Sequence, residues 1–415
     1  MRVAFKTLGC RLNQAETAKL SALFEKAGCT IVPFGESCDI CIIHSCAVTA
    51  EAERKTTYYA RLASRLSCKP RVVVIGCGVD AKAPALFKNA DRWILLGNAD
   101  KFNILDILKL TSSEATENYN EVIPRFDTAR ALLRVQTGCS FNCAYCMVPL
   151  LRGMPQSRPA VDVIKEANAL GDAGYREIVL TGTNLGTYSD GDIDLVKLIQ
   201  QIESIPAIQR IRLSSIELTT IERKLVDYMA SSSKLCRYLH VPLQTADDSL
   251  LKAMGRHYNS RQYRDFMEYA FNKIDELGFG TDVIVGLPGE TRDAFENTVR
   301  FVSQLPFSNL HVFPYSKRPG TRADTMSEHV PECEKRLRVG IMRTLRTQKI
   351  ETFAKKFIGK RLSVLVEEIK GKKAYGWSDQ YIHCEINMCG ASLSVNDIIW
   401  FMPAELNAGT LTGYV

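Results

Sequence analysis

From Ala131 to about Met326 the chain repeats one pattern: a short apolar run, a polar or glycine-rich turn, then apolar residues at helical spacing. Strand-like runs fall at Leu132–Val135, Glu177–Leu180, Arg210–Leu213, Tyr238–Pro242, Thr281–Val285 and His311–Pro314. Helical patterns lie between them, as at Val161–Ala173, Arg261–Leu277 and Arg292–Gln304. Strands separated by helices pair in parallel, because each crossover returns the chain to the same end of the sheet. Six βα units of about thirty residues are short of a full eight-fold barrel, so an incomplete (β/α)6 barrel is expected. Its loops after the strands share one face, where such barrels carry their chemistry.

The first of those loops reads QTGCSFNCAYCMVP and holds Cys139, Cys143 and Cys146 in a CxxxCxxC triplet. Three thiolates this close bind three irons of a cubane iron–sulfur cluster and leave the fourth iron open to a substrate or cofactor. A zinc knuckle needs a second CxxC-type pair or a histidine at zinc spacing, and neither follows. Tyr145 stands just before the last cysteine and is a further candidate cofactor contact. The other strand ends are polar or glycine-rich: TGTNLG, SSIE, PLQTAD, VGLPGET and PYSKRPGT. They offer Thr181, Gly182, Asn184, Ser215, Glu217, Gln244 and Gly286 as candidate cofactor contacts, each equally readable as a turn or cap. Arg152 and Arg158 are candidates for a carboxylate or a phosphate, and are counted among the RNA contacts. His240 and His311 are assigned no chemistry, since a lone histidine in a strand is more often a satisfied core residue.

Before the barrel, residues 1–125 also alternate strands (Val3–Thr7, Asp39–Ile43, Val72–Ile75, Trp93–Leu96) with helical segments such as Gln14–Ala27, and imply a parallel α/β sheet. Cys10, Cys46 and Cys77 follow the first three of these strands. Ligands gather at the carboxyl ends of such strands. Three thiols at equivalent places favour a second three-cysteine cluster over three small residues in turns. Cys38 and Cys41 form a CxxC, but Cys41 lies inside an apolar run. Both are read as structural, together with Cys29, Cys68, Cys236, Cys333, Cys384 and Cys389. Lys109–Arg125 reads as a linker or exposed arm.

After the barrel (126–330), a basic helical linker is expected over 331–356, with Leu337, Ile341, Leu345 and Ile350 on one face. Residues 357–415 alternate strand-like runs with glycines and suit a small antiparallel β-barrel. Between Pro331 and Tyr375 there are 13 Lys or Arg against 5 Asp or Glu, a balance that suits a polyanion such as RNA. Lys372, Lys373, Trp377 and Tyr381 are the candidate RNA contacts there, although each aromatic taken singly reads better as core. No basic start and apolar run open the chain, and no stretch has the length of a membrane span, so a cytoplasmic protein is expected. With 14 cysteines, metal binding is then a better reading than disulfides.

Over essentially its full length the chain resembles the radical S-adenosylmethionine (SAM) methylthiotransferases. The blocks that carry the resemblance are TLGCRLNQAET, QTGCSFNCAYC, RIRLSSIE, HVPLQTADDSLLKAMGR, VIVGLPGET and HVFPYSKRPGT. The first and last are most similar to the bacterial MtaB branch, which acts on tRNA carrying N6-threonylcarbamoyladenosine beside the anticodon. RGMPQSRP departs from the family's shorter RGxxxSR pattern, and TGTNLG and SSIELTT also drift. The resemblance implies a TRAM-like terminal barrel on tRNA and two [4Fe–4S] clusters, on Cys139, Cys143 and Cys146 and on Cys10, Cys46 and Cys77. It implies SAM as radical source and methyl donor, a methylthio group placed on C2 of the adenine, an electron donor such as flavodoxin or ferredoxin, and a sulfur donor. The same chemistry on isopentenyladenosine tRNA or on a ribosomal-protein aspartate is the near alternative. A non-catalytic iron–sulfur regulator that binds RNA is the distant one.

Overall fold

A computed structural model of the chain describes residues 1–88, 91–110 and 122–415. Most of the expected Lys109–Arg125 linker therefore lies outside the described residues.

The N-terminal domain is one parallel sheet of β1 (Arg2–Thr7), β2 (Thr30–Val32), β3 (Ile40–Ser45), β4 (Arg71–Gly76) and β5 (Trp93–Leu96), in the order β2-β1-β3-β4-β5. β3 is buried at every position, which is why its sequence is a continuous apolar run. β2, only three residues long, has no counterpart in the sequence reading. Helix α1 (Arg11–Lys26) starts three residues earlier than its apolar period suggests, and Cys10 is its N-cap. Leu20, Leu23 and Phe24 pack on Val3, Ile40 and Val73. Its polar residues Asn13, Glu16 and Lys19 are also buried, because a second domain packs against that face.

That second domain has two three-stranded parallel sheets: Arg130–Arg134, Glu177–Thr181 and Arg210–Leu213, then Tyr238–His240, Gly278–Val285 and Asn309–Pro314. The third and fourth strands are stitched together where Ile211 meets Leu235 and where the Ile216 amide donates to the His240 carbonyl at 3.0 Å. The arc stays open between its first and last strands, and the N-terminal domain reaches both edges. α1 lies along the first strand. Helix α2 (Ala50–Ser64) holds the loop after the last, with the Ala50 amide on Ser316 Oγ at 3.0 Å and Glu53 on Arg318 at 2.7 Å.

The basic helix runs Glu332–Lys355; of the face expected to pack, Leu345 lies against the barrel core, but Leu337 and Ile341 turn outward. Leu337 and Ile341 are 65% and 49% exposed, whereas Arg338, Val339 and Met342 are buried. Arg338 decides the rotation, since it reaches back to Glu290 at 2.5 Å while Val339 and Met342 join the barrel core.

The terminal barrel closes through Leu362–Lys370, Lys373–Ser378, His383–Asn387, Thr410–Tyr414 and Ile398–Asn407. Four of its seams are antiparallel, but His383–Asn387 and Thr410–Tyr414 pair in parallel, against a wholly antiparallel expectation. Parity requires this: five strands on a closed ring cannot all alternate in direction. A loop of this barrel, Trp377–Tyr381, plugs the strand starts of the larger one. Arg212 donates to the Ser378 and Asp379 carbonyls at 3.0 and 3.1 Å, and Arg210 to the Trp377 carbonyl at 3.2 Å.

Candidate active site between two cysteine-bearing domains

The loop after the first barrel strand is pinned by backbone. Its Cys139 amide donates to the Gly153 carbonyl at 3.0 Å, and its Ala144 amide to the Met254 carbonyl at 2.9 Å. Gly138 has φ +77°, and a Cβ there would lie 2.0 Å from the Met154 carbonyl oxygen, so only glycine fits. Cys139, Cys143 and Cys146 sit within electrostatic range of one another. Cys146 Sγ accepts from the Val148 amide at 3.4 Å. Arg256 places Nη1 3.4 Å from Cys143 Sγ and 3.5 Å from the Tyr145 hydroxyl, while its Nη2 pairs with Glu217. Burial raises the Glu217 carboxyl and Arg256 opposes that rise. Arg256 had no distinguishing signal in the sequence beyond ending the block HVPLQTADDSLLKAMGR. Tyr145 packs beside Ala144 and Met254 under the loop.

Across the open side of the barrel stand the other three thiols. Cys10 caps α1, Cys46 follows β3, and Cys77 opens a short helix after Gly76, whose φ is +87°. Cys46 feels both Cys10 and Cys77. Asn98 donates to Cys77 Sγ at 3.5 Å and to the Leu151 carbonyl at 3.0 Å, which ties this rim to the first loop. Burial pushes the Cys46 thiol up to about 11 and Cys146 up to about 12, so iron binding has to displace protons. Each triplet offers three thiols, one fewer than a cubane has irons, and so each suits a cluster with an open iron.

A cavity of ≈ 580 Å³ joins the two domains. Cys10, Cys46 and Cys77 line one wall, with Thr181, Gly182 and Ser215 opposite. Its floor is polar and was not read as a site in the sequence: Tyr238, Asp282, the histidines His240 and His311 that were assigned no chemistry, and Tyr381, which was expected on RNA. Asp282 Oδ1 accepts from His240 Nε2 at 2.9 Å and from His311 Nδ1 at 3.1 Å. Burial favours the neutral acid, but the two histidines outweigh it and hold the Asp282 carboxyl well below the usual range. Neither histidine is an isolated core residue; β-register puts Asp282 beside His311, a pairing visible only once the strands are aligned.

The remaining expectations divide. Asn184 Oδ1 accepts from the Glu217 amide at 3.2 Å and from Thr220 Oγ1 at 3.0 Å, and its buried Nδ2 has no partner among the described residues. Gln244 has φ +67° and a buried Oε1 likewise unpartnered among them. Gly286 is corrected: its amide donates to Glu290 at 2.6 Å and the Lys335 stem fills the space of a Cβ, so it seats the basic helix. Arg152 and Arg158 are corrected as RNA contacts. Arg152 is spent on Glu16 at 3.0 Å and Asn13 at 2.7 Å across the buried domain interface, and Arg158 on Glu166 at 2.9 Å within the barrel domain. Trp377 and Tyr381 are corrected as well. They stack at 4.6 Å within the seam between barrels, where Tyr381 lines the interdomain cavity and both rings line a groove beside the basic helix. Lys372 and Lys373 are exposed, the latter 2.6 Å from Glu385. Of the cysteines read as structural, Cys333 and Cys389 are exposed, so no core packing accounts for them.

Residues 133–302 match the Radical SAM superfamily and residues 2–97 the Uncharacterized protein family UPF0004. Fold and loop together define a radical-SAM enzyme. The solved structure of the radical S-adenosylmethionine methyltransferase TsrM from Kitasatospora setae, with tryptophan substrate and a SAM analogue bound, shares this fold. Its TM-score is 0.57 at 13% identity, over 78% of this chain and 75% of that one. Among curated relatives, the threonylcarbamoyladenosine tRNA methylthiotransferase MtaB of Bacillus subtilis (strain 168) is 33% identical over 401 residues, 92% of this chain and 89% of its own. The tRNA-2-methylthio-N(6)-dimethylallyladenosine synthase of Thermodesulfovibrio yellowstonii is 29% identical over 91% of this chain and 89% of its own. The chain belongs to the radical-SAM tRNA methylthiotransferases, enzymes that use SAM and two [4Fe–4S] clusters. No helix among the described residues is long and apolar enough to cross a membrane.

Proposed function

We propose that this enzyme places a methylthio group on C2 of N6-threonylcarbamoyladenosine beside the anticodon of tRNA. The observation that carries the reading is the shared cavity, which sets three N-terminal cysteines opposite the polar strand ends of the barrel. Cys139, Cys143 and Cys146 would hold one cluster and Cys10, Cys46 and Cys77 the other. Bound there, the first supplies reductive cleavage of SAM and hydrogen abstraction, and the second supplies sulfur. Around them the chain's own residues position and shield. Arg256 and Glu217 brace the loop of the first triplet, with Tyr145 beneath it. Thr181, Gly182, Asn184, Ser215 and Gln244 are the candidate SAM contacts. Two of them support this by carrying buried amide atoms that lack partners among the described residues. Arg152, bound to Glu16, keeps the two domains at a set separation.

The base would enter the cavity flipped out of its loop. The basic helix and Lys372 of the terminal barrel would take phosphates of the stem and loop. In this reading 1–125 is the auxiliary-cluster domain, 126–330 the radical-SAM domain, 331–356 the linker and 357–415 the RNA-binding barrel. The protein works in the cytoplasm with a flavodoxin- or ferredoxin-type electron donor and a separate sulfur donor. The alternative, the same transfer to a dimethylallyl adenosine, is supported by the second relative above. Anaerobic reaction of reconstituted protein with SAM, dithionite and tRNA lacking methylthio groups separates the two, by mass spectrometry of the digested nucleosides. Methylthiolation of threonylcarbamoyladenosine is expected. Its absence, with the dimethylallyl nucleoside modified instead, would sink the proposal.

A further inference from the structure

Five arginines of the barrel and its seams meet a carboxylate: Arg130 meets Glu367, Arg152 Glu16, Arg158 Glu166, Arg212 Glu177 and Arg256 Glu217. Arg11 does not. It lines the cavity one residue beyond Cys10, and among the described residues it has no acidic partner. Its Nη2 donates to the Tyr381 hydroxyl at 2.7 Å, and the guanidinium sits 5.6 Å from the centre of the Tyr381 ring. The one acid on the cavity floor, Asp282, is already held by two histidines. A guanidinium presents a planar fork of donors, and a single phenol uses one of them. Arg11 lines the cavity together with the three N-terminal thiols.

We propose that Arg11, steadied by Tyr381, forms a subsite for the carboxylate of the substituent on N6 of the substrate adenosine. This rests on the threonylcarbamoyl reading, in which that substituent is an amino acid joined through its nitrogen, with its carboxylate free. A base lying between the two cysteine triplets carries its N6 group into the same cavity. Its carboxylate completes the fork on Arg11, a charge-assisted pair in a partly desolvated place. His311 adds a polar wall. Its Nδ1 donates to Asp282, and Nε2, without a partner among the described residues, is free to accept from the substituent's hydroxyl. Arg130 and Arg212 stand behind Tyr381 and, with Arg11, outweigh the effect of burial and lower its phenol. Three guanidinium groups therefore surround the Tyr381 hydroxyl, of which only that of Arg11 lacks a carboxylate partner among the described residues. An uncharged alkyl substituent would desolvate Arg11 without pairing it, so the subsite selects by penalty as well as by attraction.

The test uses two synthetic anticodon stem-loops, one with threonylcarbamoyladenosine and one with its carboxylate replaced by the carboxamide. Binding to the reconstituted holoenzyme is read by fluorescence anisotropy without reductant. Methylthiolation is read as kcat/KM, normalised to deoxyadenosine release. The wild type is expected to prefer the acid by roughly 10- to 100-fold in both readouts. Arg11→Gln is expected to narrow that preference to less than about threefold by weakening the acid alone, and Arg11→Lys to restore part of it. A wild type that treats acid and amide alike overturns the inference and leaves the substrate reading standing, as does an Arg11→Gln variant that weakens both equally. The wild-type comparison holds even if the variant fails to fold. A wild type that methylthiolates neither stem-loop overturns the substrate reading, and the inference falls with it.

Discussion

Glu16→Gln tests the reasoning about the domain interface most directly. The Glu16 side chain is 1% exposed. Its Oε2 lies 2.7 Å from Lys101 Nζ, and Arg152 reaches Oε1 at 3.0 Å and Oε2 at 3.1 Å. Burial alone would raise the Glu16 carboxyl, but Lys101 and Arg152 hold it well below the ordinary range. Glutamine keeps the shape and removes the charge, which leaves two buried cations without a counter-ion. Breaking a buried pair in this way costs about 3–5 kcal/mol. Melting of the iron-free protein by differential scanning fluorimetry is then expected to fall by on the order of 10 °C. Because α1 and Arg152 belong to different domains, hydrogen exchange in Arg11–Lys26 and Val148–Arg152 is expected to quicken by roughly 100-fold, with the terminal barrel unaffected. Adding Lys101→Met removes one stranded cation and should recover part of the loss. A variant that melts within about 1 °C of wild type, with unchanged exchange, would refute the claim that this charge cluster holds the domains together.

Alanine at Cys10, Cys46 or Cys77 is expected to cut methylthiolation by at least about 100-fold while deoxyadenosine release persists, whereas alanine at Cys139, Cys143 or Cys146 removes both; mass spectrometry of the two products from one reaction decides. At the seam between the barrels, burial raises the Glu177 carboxyl, but Arg212 and Arg210 outweigh that and hold it down to about 2. With an unfolded value near 4.3, its contribution is complete above about pH 5 and lost as pH falls towards 2, up to about 3 kcal/mol. Acid titration followed by Trp377 fluorescence should show that loss, and Glu177→Gln should flatten it. A fluorescence midpoint unmoved by that substitution would place the acid sensitivity elsewhere. Asp282→Asn is expected to disorder His311 and weaken stem-loop binding by several-fold, with a small effect on melting because His311 is open to the cavity. A loss of melting temperature as large as that of Glu16→Gln would mean that Asp282 is structural instead.

Sequence alone determined the order of the parts and the chemistry they carry. Strand periodicity, loop glycines and the CxxxCxxC spacing are local properties, so the sheet, the arc of six strands and the first cysteine loop were legible residue by residue. The second triplet was legible too, because Cys10, Cys46 and Cys77 repeat one local position, the end of a strand. Tertiary structure decided what those positions face. α1 reads as a one-sided amphipathic helix, yet Asn13, Glu16 and Lys19 are buried because a barrel covers the other side. Arg152 reads as a free cation, yet it meets Glu16, 136 positions away in the other domain. Leu337 and Ile341 read as a packing face, yet Arg338 turns the helix to reach Glu290. His240, Asp282 and His311 lie up to 71 positions apart and meet only through strand register. A charge pair or a register depends on partners far along the chain, and apolar periodicity within one segment carries no information about them.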